Sequence, residues 1–299
     1  MRVLIVGCGY VGLALGAELA RRGHEVFGVR RAPDPLELAE YGIAPVTADI
    51  TRRDELAKLP TACEWLVNTV SSVKGGMDEY RAIYLEATRN LVDWLSSQHP
   101  RRYVYTSSTS VYAQTDGSWV DERSLTEPKS ETSRVLVETE GLLLDRARTL
   151  NFPAVILRSA GIYGPERGVP FRQYLQGEAQ ISGNGERFMN MIHRDDLVGA
   201  IIAALERGQP GEIYNVTDNE PITQLDFFRW LSETLHRPIP PFVSGKENVT
   251  RKRGLTNKRV SNRKLRLALG YEFKYPTFRQ GYSAEIAQLQ AAGQLGPST

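Results

Sequence analysis

A glycine-rich turn follows the first apolar segment of the chain and limits its fold more than any other feature. The apolar run at residues 3–6 is too short for a buried helix, and it ends at the sequence GCGYVG over residues 7–12. Beyond the turn, apolar residues recur at helical spacing, at Val11, Leu15 and Leu19. The pattern therefore predicts a strand, a tight turn and a helix.

Each glycine of this turn has its own physical reason. Gly7 permits the tight turn, Gly9 lets a pyrophosphate approach the backbone, and Gly12 lets the helix pack against the strand. The free N–H groups and the positive dipole end of the helix would then face the phosphates. A glycine-rich turn that only connects a strand to a helix is the alternative. Because the turn follows a buried strand and opens an amphipathic helix, we predict a dinucleotide site.

Length and composition exclude several classes of protein. The 299 residues suit one large α/β domain, or a large domain with a smaller lobe. With 37 basic and 35 acidic residues, the net charge does not indicate a nucleic-acid partner. The two cysteines predict neither a disulfide framework nor a metal site, and no run approaches the roughly 20 apolar residues that cross a bilayer. Since the first strand begins at once, we expect no signal peptide, no membrane partner and a cytoplasmic location.

The end of the second predicted strand bears on the choice of cofactor. Residues 26–29 form that strand, and Arg30 and Arg31 follow it, about twenty residues beyond the glycines. A carboxylate at this point would accept hydrogen bonds from a ribose 2′-hydroxyl, whereas guanidinium groups pair with a 2′-phosphate. We therefore predict NADP in preference to NAD. Two solvated loop arginines are the alternative.

Strands and helices then alternate along the chain. We expect strands at residues 46–50, 65–67, 102–106, 154–157 and 213–216, and helices at about 79–97, 132–149 and from Asp195, which would cap its helix. This alternation predicts right-handed crossovers and an α/β fold with a Rossmann-like, doubly wound parallel sheet. We assign residues 1–165 and 193–217 to a nucleotide-binding domain. Residues 166–192 and 218–299 are assigned to a smaller C-terminal substrate-binding lobe, whose tail from Gly293 we expect to be disordered.

Polar residues follow several predicted strands, and in open α/β sheets ligands bind at the strands' carboxyl ends. Asp49 and Ile50 would lie beside an adenine. Ser108 belongs to a hydroxyl cluster after the fifth strand and could contact a reacting oxygen, but a hydroxyl that caps backbone is an equal alternative. Tyr112 and Tyr163 could supply a phenol from another direction, with a structural role favoured for each. His193 precedes the predicted helix start, where a structural role is favoured over that of a general base.

A basic run extends from Lys246 to Lys264, after a proline-rich stretch at residues 238–241. Such a run is usually a solvated face, but over a cofactor cleft it could meet an anionic substrate. No aromatic residues are interleaved with these charges, so nucleic-acid binding is a weak hypothesis.

Over nearly its whole length the chain resembles the extended short-chain dehydrogenase/reductase family, of the nucleotide-sugar epimerase and dehydratase type. The matching landmarks are residues 7–12, 49–50, 107–112, 157–158, 163–165, 192–196, 213–216 and 261–265. The resemblance implies an NAD(P)-binding Rossmann domain and a small C-terminal substrate lobe. It also implies a homodimer, formed here through the helices that begin near Glu79 and Thr132.

The resemblance also implies a catalytic tyrosine and, four residues later, a lysine on the long helix, and this chain lacks both. Counting back from Glu140, the tyrosine position falls on Thr132 and the lysine position on Leu136. Sliding the count by one residue gives Ser133 and Val137. A threonine hydroxyl is too weak an acid to replace a phenol unaided. The pattern is similar to an atypical subfamily that keeps the fold without the usual tyrosine.

Two further positions depart from the family pattern. The arginine that commonly holds a substrate pyrophosphate falls on Met189, although Arg187 is near, and an asparagine before the fifth strand falls on Tyr84. Our candidate catalytic residues are Ser108 and Thr132. The candidate substrate contacts are Ser108, Thr109, Arg187 and Asn190. The candidate cofactor contacts are Gly7, Gly9, Tyr10, Val11, Gly12, Arg30, Arg31, Asp49, Ile50, Thr69, Val70, Thr106, Ala160 and Ile162.

Two functions are consistent with these residues. The first is an NADP-dependent oxidoreductase or epimerase/dehydratase-like enzyme that acts on a small polar substrate, for which an anion is one candidate. The second is a non-catalytic protein that senses the cofactor or its redox state, since a retained glycine turn without the catalytic pair is what such a protein would have. The hydroxyl cluster and the insertion after Pro165 favour the enzyme.

Overall fold

The centre of the molecule is a seven-stranded parallel sheet, seen here in a computed structural model that describes residues 1–72, 75–243 and 256–295. The strands are β1 (Arg2–Val6), β2 (Glu25–Arg30), β3 (Ile43–Thr47), β4 (Trp65–Asn68), β5 (Arg102–Ser108), β6 (Trp119–Val120), β7 (Ala154–Ser159), β8 (Gly161–Tyr163), β9 (Ile181–Ser182), β10 (Phe188–Met189), β11 (Met191–His193), β12 (Ile213–Val216), β13 (Ile222–Thr223), β14 (Phe242–Val243) and β15 (Arg259–Val260). The large sheet has the order β12-β7-β5-β4-β1-β2-β3, and the shorter strands pair two by two.

Helices connect these strands. They are α1 (Tyr10–Arg21), α2 (Pro35–Glu40), α3 (Met77–Tyr80), α4 (Ala87–Trp94), α5 (Glu131–Leu150), α6 (Val169–Gln176), α7 (Arg194–Arg207), α8 (Gln224–Leu235), α9 (Arg263–Leu269) and α10 (Phe278–Ala291). A π-helical turn (Arg81–Glu86) joins α3 to α4, and 3₁₀ helices occupy Arg53–Lys58 and Thr109–Val111. Within the described ranges, no helix is both long and apolar enough to cross a membrane.

The predicted α/β fold with a doubly wound sheet is confirmed. Strand β1 pairs with β2 on one side and with β4 on the other, so the chain reverses its direction of winding beside β1. Residues 3–6 of β1 are at most 1% exposed, because both faces of the sheet are covered. Helices α1, α7 and α9 contribute to the apolar cluster on one face, and α4 and α5 contribute to the cluster on the other.

The predicted third strand, at residues 46–50, is wrong in its bounds. Strand β3 begins at Ile43, directly after Gly42 turns the chain with a φ of +70°, and it ends at Thr47. It contains Pro45, which the period-2 pattern does not anticipate. The proline is tolerated because β3 lies at the edge of the sheet. The predicted helix at 79–97 begins at Met77 and is interrupted by the π-helical turn.

A third, largely aromatic cluster lies in the segments that we predicted to form the lobe. Phe227, Phe228 and Phe278 are at most 2% exposed and pack with Tyr163 and Tyr282. The rings of Tyr163 and Tyr282 stack at 4.2 Å, so this cluster joins the end of β8 to α8 and α10. The boundary between two domains stays a prediction.

The cap of α7 differs from the prediction. Asp195 does not cap the helix; instead its backbone N–H donates to Nδ1 of His193, at 3.1 Å. The other ring nitrogen of His193 lies 3.1 Å from Oε1 of Glu285, and the ring is 1% exposed. His193 therefore has the structural role that we favoured. Lys246 and residues 251–253 of the predicted basic run lie outside the described residues, as do residues 296–299 of the predicted disordered tail.

Candidate functional site

A cavity of about 1580 Å³ opens at the carboxyl edge of the sheet, where the winding reverses. Its walls come from the glycine turn, from the ends of β2, β4, β5 and β7, and from lobe residues that include Arg187, Gln224 and Tyr282. Ligand pockets for drug-sized molecules measure about 300–1,000 Å³. The cavity can therefore hold a large cofactor together with a second ligand.

The three glycines of the turn have different surroundings. A Cβ atom added to Gly7, whose φ is +84°, would lie 2.7 Å from the backbone nitrogen of Val70. One added to Gly12 would lie 2.7 Å from the carbonyl oxygen of Gly7 and 3.1 Å from Cγ2 of Ile5. One added to Gly9 would meet no atom nearer than that carbonyl, at 4.0 Å. Gly7 and Gly12 are thus required by backbone packing, whereas Gly9 leaves open space at the cavity wall.

The N-terminus of α1 is open to this space. No side chain caps the helix, and its first turn contains no acidic residue. The uncapped N–H groups and the dipole of a helix N-terminus bind anions such as phosphate. The hydroxyl of Thr69 holds the turn in place by donating to the carbonyl of Gly7, at 2.9 Å. Burial raises the pKa of the Cys8 thiol to about 11, so this side chain is a neutral packing residue.

The two arginines after β2 differ in their partners. The guanidinium of Arg30 donates to the carbonyl of Cys8 and pairs with Glu37 at 2.6 Å. Arg31 is exposed, lines the cavity and forms no ion pair with any described residue. Sequence reasoning missed Glu37, because α2 returns it to the end of β2 from seven residues away. Arg31 is consequently the arginine that is open to a phosphate.

Most predicted cofactor contacts lie on the cavity wall. Tyr10, Val11, Asp49, Ile50, Thr69, Val70, Thr106, Ala160 and Ile162 line it together with Gly7, Gly9 and both arginines. Gly12 does not, because it lies behind the turn against Ile5. The predicted substrate contacts Ser108, Thr109, Arg187 and Asn190 also line the cavity. The structure brings these residues together, and their contacts with ligands stay predictions.

The two candidate catalytic residues are placed differently. Ser108 lines the cavity, and its Oγ accepts a hydrogen bond from the backbone N–H of Ser110 at 3.2 Å, as a capping hydroxyl does. Thr132 is not among the described residues that line the cavity, and its hydroxyl lies 2.8 Å from that of Ser130. Leu136 is 1% exposed and packs in the core. Thr132 and Leu136, which occupy the tyrosine and lysine positions of the family pattern, therefore supply no acid to the cavity.

A buried polar network lies beneath the end of β5. Glu140 pairs with Arg158 at 2.7 Å and accepts a hydrogen bond from the Ser107 hydroxyl at 2.5 Å. Arg158 also donates to the phenol oxygen of Tyr112 at 2.8 Å, and that phenol donates to Asn215 at 2.8 Å. Burial raises the pKa of Tyr112 to about 12. Tyr112 does not line the cavity within the described ranges, so it has a structural position.

Tyr163 does reach the cavity wall. Its ring is 1% exposed and lies between Tyr282 and His193, and burial is the main reason that its pKa is raised above that of a free phenol. A phenol that holds its proton this firmly is a poor proton donor near neutral pH.

Lys258, a member of the predicted basic run, lies in the cavity wall. Lys258 is 4% exposed, and its Nζ donates to Oγ1 of Thr256 at 2.7 Å and to the carbonyl of Tyr112 at 3.3 Å. The side-chain amide of Asn190 donates to the carbonyl of Lys258 and accepts from the N–H of Val260. Of the two predictions for the basic run, the solvated face does not hold at Lys258, because these contacts across about 70 residues of sequence bury it.

In the part of the chain that the structure describes, no three or more His, Cys, Asp or Glu side chains are grouped so that they could hold an ion.

Comparison with known proteins agrees with this geometry. The sequence profile of the NAD-dependent epimerase/dehydratase family matches residues 3–217. Protein YeeZ of Escherichia coli K12 is 30% identical over 285 residues, which cover 92% of this chain and 96% of that protein. A conserved protein of unknown function from Silicibacter pomeroyi has a similar structure, with a TM-score of 0.80 at 28% identity and coverage of 97% and 99% of the two chains. UDP-glucose 4-epimerase of Thermotoga maritima shares the fold, with a TM-score of 0.83 at 19% identity and coverage of 98% and 99%.

Proposed function

The chain belongs to the NAD-dependent epimerase/dehydratase family, and we propose that it is an NADP-dependent oxidoreductase or epimerase/dehydratase-like enzyme acting on a small polar substrate. One observation carries the proposal. The uncapped N-terminus of α1 and the open position at Gly9 lie together on the wall of the cavity. An anion with a close approach to the backbone, such as a dinucleotide pyrophosphate, fits this arrangement.

The residues present divide the cofactor site into parts. The backbone at Gly9, Tyr10 and Val11 would hold the pyrophosphate, and Arg31 would pair with a ribose 2′-phosphate. Ala160 and Ile162 lie on the same wall as Ser108 and would bound the nicotinamide. A bound nicotinamide dinucleotide supplies or accepts a hydride. The protein contributes the orientation of the ring, the exclusion of water and a polar grip on the substrate.

The substrate would occupy the cavity between the hydroxyl cluster and the lobe. Ser108 and Thr109 offer hydroxyl groups there, and Arg187 offers a positive charge, which favours an anionic substrate. On the resemblance to the family, we further propose a homodimer in the cytoplasm.

The alternative is a protein that binds the cofactor and senses its redox state without catalysis. The positions of Thr132 and Leu136 favour it, because neither side chain brings an acid to the cavity. A sensor needs affinity that depends on the redox state of the cofactor, whereas an enzyme needs the nicotinamide enclosed next to a substrate.

A titration with NADPH and NADH separates these functions, with nicotinamide fluorescence and melting temperature followed in the same samples. Micromolar NADPH binding with an enhanced, blue-shifted nicotinamide signal would support the enzyme, because an enclosed ring gives that signal. Tight binding with the ring left in water would favour the sensor. No binding of either dinucleotide would refute both functions.

A further inference from the structure

The amino group of Lys258 is held in a fixed position beside the segment that follows β5. Its Nζ donates to the backbone carbonyl of Tyr112. A single 3₁₀ turn, Thr109–Val111, separates Tyr112 from Ser108. Thr256 accepts a second hydrogen bond from Nζ. An ammonium has three donors, so one N–H remains for the cavity that Lys258 lines.

Hydrogen bonds hold the main chain on both sides of Lys258. The N–H of Asn257 donates to the carbonyl of Gln114, and the N–H of Arg259 donates to the carbonyl of Ser118. The amide of Asn190 bridges the carbonyl of Lys258 and the N–H of Val260, at 2.9 and 2.8 Å. A side chain held in this way is preorganised, as a group that acts on a ligand must be.

Among the residues that the structure describes, Lys258 is also a buried cation without a counter-ion. No described carboxylate lies within ion-pair distance of Nζ, and the nearby charge that acts on it is that of another cation, Arg187. The guanidinium of Arg259, its neighbour in sequence, donates instead to the carbonyl of Gly117. Burial first, and Arg187 second, lower the pKa of Lys258 to about 8. Buried lysines are rare unless they are paired, so this one calls for a functional reason.

We propose that Lys258 is the proton-exchanging group of the cavity, whose amino group donates to the oxygen of a carbonyl substrate and passes it a proton. The proposal rests on the proposed function, and it specifies the substrate as a ketone or aldehyde, or the corresponding alcohol. Lys258 would then supply the proton that the family's tyrosine supplies, since this chain has Thr132 at the tyrosine position. The phenol of Tyr10, by contrast, has a pKa raised to about 12 by burial.

When the carbonyl carbon gains a hydride from a reduced nicotinamide dinucleotide, its oxygen needs one proton to become a hydroxyl. The Nζ–H bond of Lys258 breaks, its electron pair stays on nitrogen, and the proton goes to that oxygen. The neutral amine then regains a proton from water. In the direction of alcohol oxidation the neutral amine accepts the hydroxyl proton instead.

Trace labelling of the protein with limiting ¹³C-formaldehyde and cyanoborohydride at pH 8 tests this proposal. Formaldehyde is the smallest carbonyl probe, and it modifies only amines that it reaches in their neutral form. With a pKa near 8, about half of Lys258 is neutral at this pH, against about 0.4% for an ordinary lysine. Lys274 is the internal control, because it pairs with Asp195 at 3.0 Å and its pKa is raised.

We expect peptide mass spectrometry to show Lys258 labelled roughly ten times faster than Lys274. The neutral fraction of Lys258 is roughly a hundred times larger, and this outweighs both the lower basicity of the amine and its smaller exposure. A ¹³C resonance that titrates near pH 8 should be absent from Lys258→Met. Lys258→Arg, which retains a cation, should also lack the resonance.

A lysine that only forms a structural hydrogen bond to the Tyr112 carbonyl would differ in its labelling rate and in its titration. Labelling of Lys258 no faster than that of Lys274, or titration near pH 10, would overturn the proposal. NADPH binding is measured on the same samples, so its absence would refute the proposed function separately.

Discussion

Adding a single methyl group at Gly9 should weaken cofactor binding without disturbing the fold. The new Cβ atom would meet no protein atom nearer than 4.0 Å, and the φ of Gly9 is −93°, on the side that L-residues adopt. We therefore expect Gly9→Ala to leave the free energy of unfolding within about 1 kcal/mol of the wild type. The methyl group would, however, occupy the space into which the pyrophosphate must fit. Overpacking of this kind costs about 1–3 kcal/mol, which weakens NADPH binding by roughly 5- to 150-fold.

Gly12→Ala is the matched control, since its Cβ would lie 2.7 Å from the carbonyl of Gly7 and 3.1 Å from Ile5. It should lower the free energy of unfolding by about 1–3 kcal/mol. Calorimetric titration with NADPH and thermal melting of both variants measure these effects. If Gly9→Ala binds NADPH as tightly as the wild type, the phosphates do not approach the turn. If it melts as early as Gly12→Ala, the space at Gly9 is not open.

Two further predictions concern buried charges. The pKa of Lys258 is lower in the folded than in the unfolded chain, so the unfolded chain binds more protons and the stability rises with pH between about 8 and 10.5. In urea titrations, the free energy of unfolding of the wild type minus that of Lys258→Met should therefore increase by about 2 kcal/mol between pH 7 and 9.5. If this difference does not change with pH, the pKa of Lys258 is not lowered in the folded protein. Glu140→Gln should lower the free energy of unfolding by about 3–5 kcal/mol, because Arg158 is left buried without its counter-ion. Thermal melting should show a lower melting temperature, and a decrease no larger than that of the exposed Glu138→Gln would refute this prediction.

The sequence predicted the parts of the molecule that depend on short stretches of chain. The strand, turn and helix around Gly7 to Gly12 follow from local apolar spacing and from the special backbone needs of glycine, and so does the doubly wound sheet. The bounds of β3 were missed because Pro45 is acceptable only at a sheet edge, which strand order decides.

The site depended more on contacts between distant residues. The pairing of Arg30 with Glu37 and the burial of Lys258 both arise when separate elements meet, so a run of charges could not reveal them. Likewise, the hydroxyl of Thr132 has a family position at the site, but the structure places it next to Ser130 and away from the cavity wall.

The proposed NADP site is tested by calorimetry, which measures how tightly the wild type and Arg31→Ala bind NADPH and NADH. A charge-assisted hydrogen bond contributes about 1.5–3 kcal/mol, so Arg31→Ala should weaken NADPH binding roughly 10- to 150-fold and change NADH binding less than about threefold. Arg148→Ala, an exposed arginine on α5 that pairs with Asp145, should change neither affinity. The wild type should bind NADPH more tightly than NADH. Equal losses of affinity for the two dinucleotides in Arg31→Ala, or no binding of either by the wild type, would contradict the proposed NADP site.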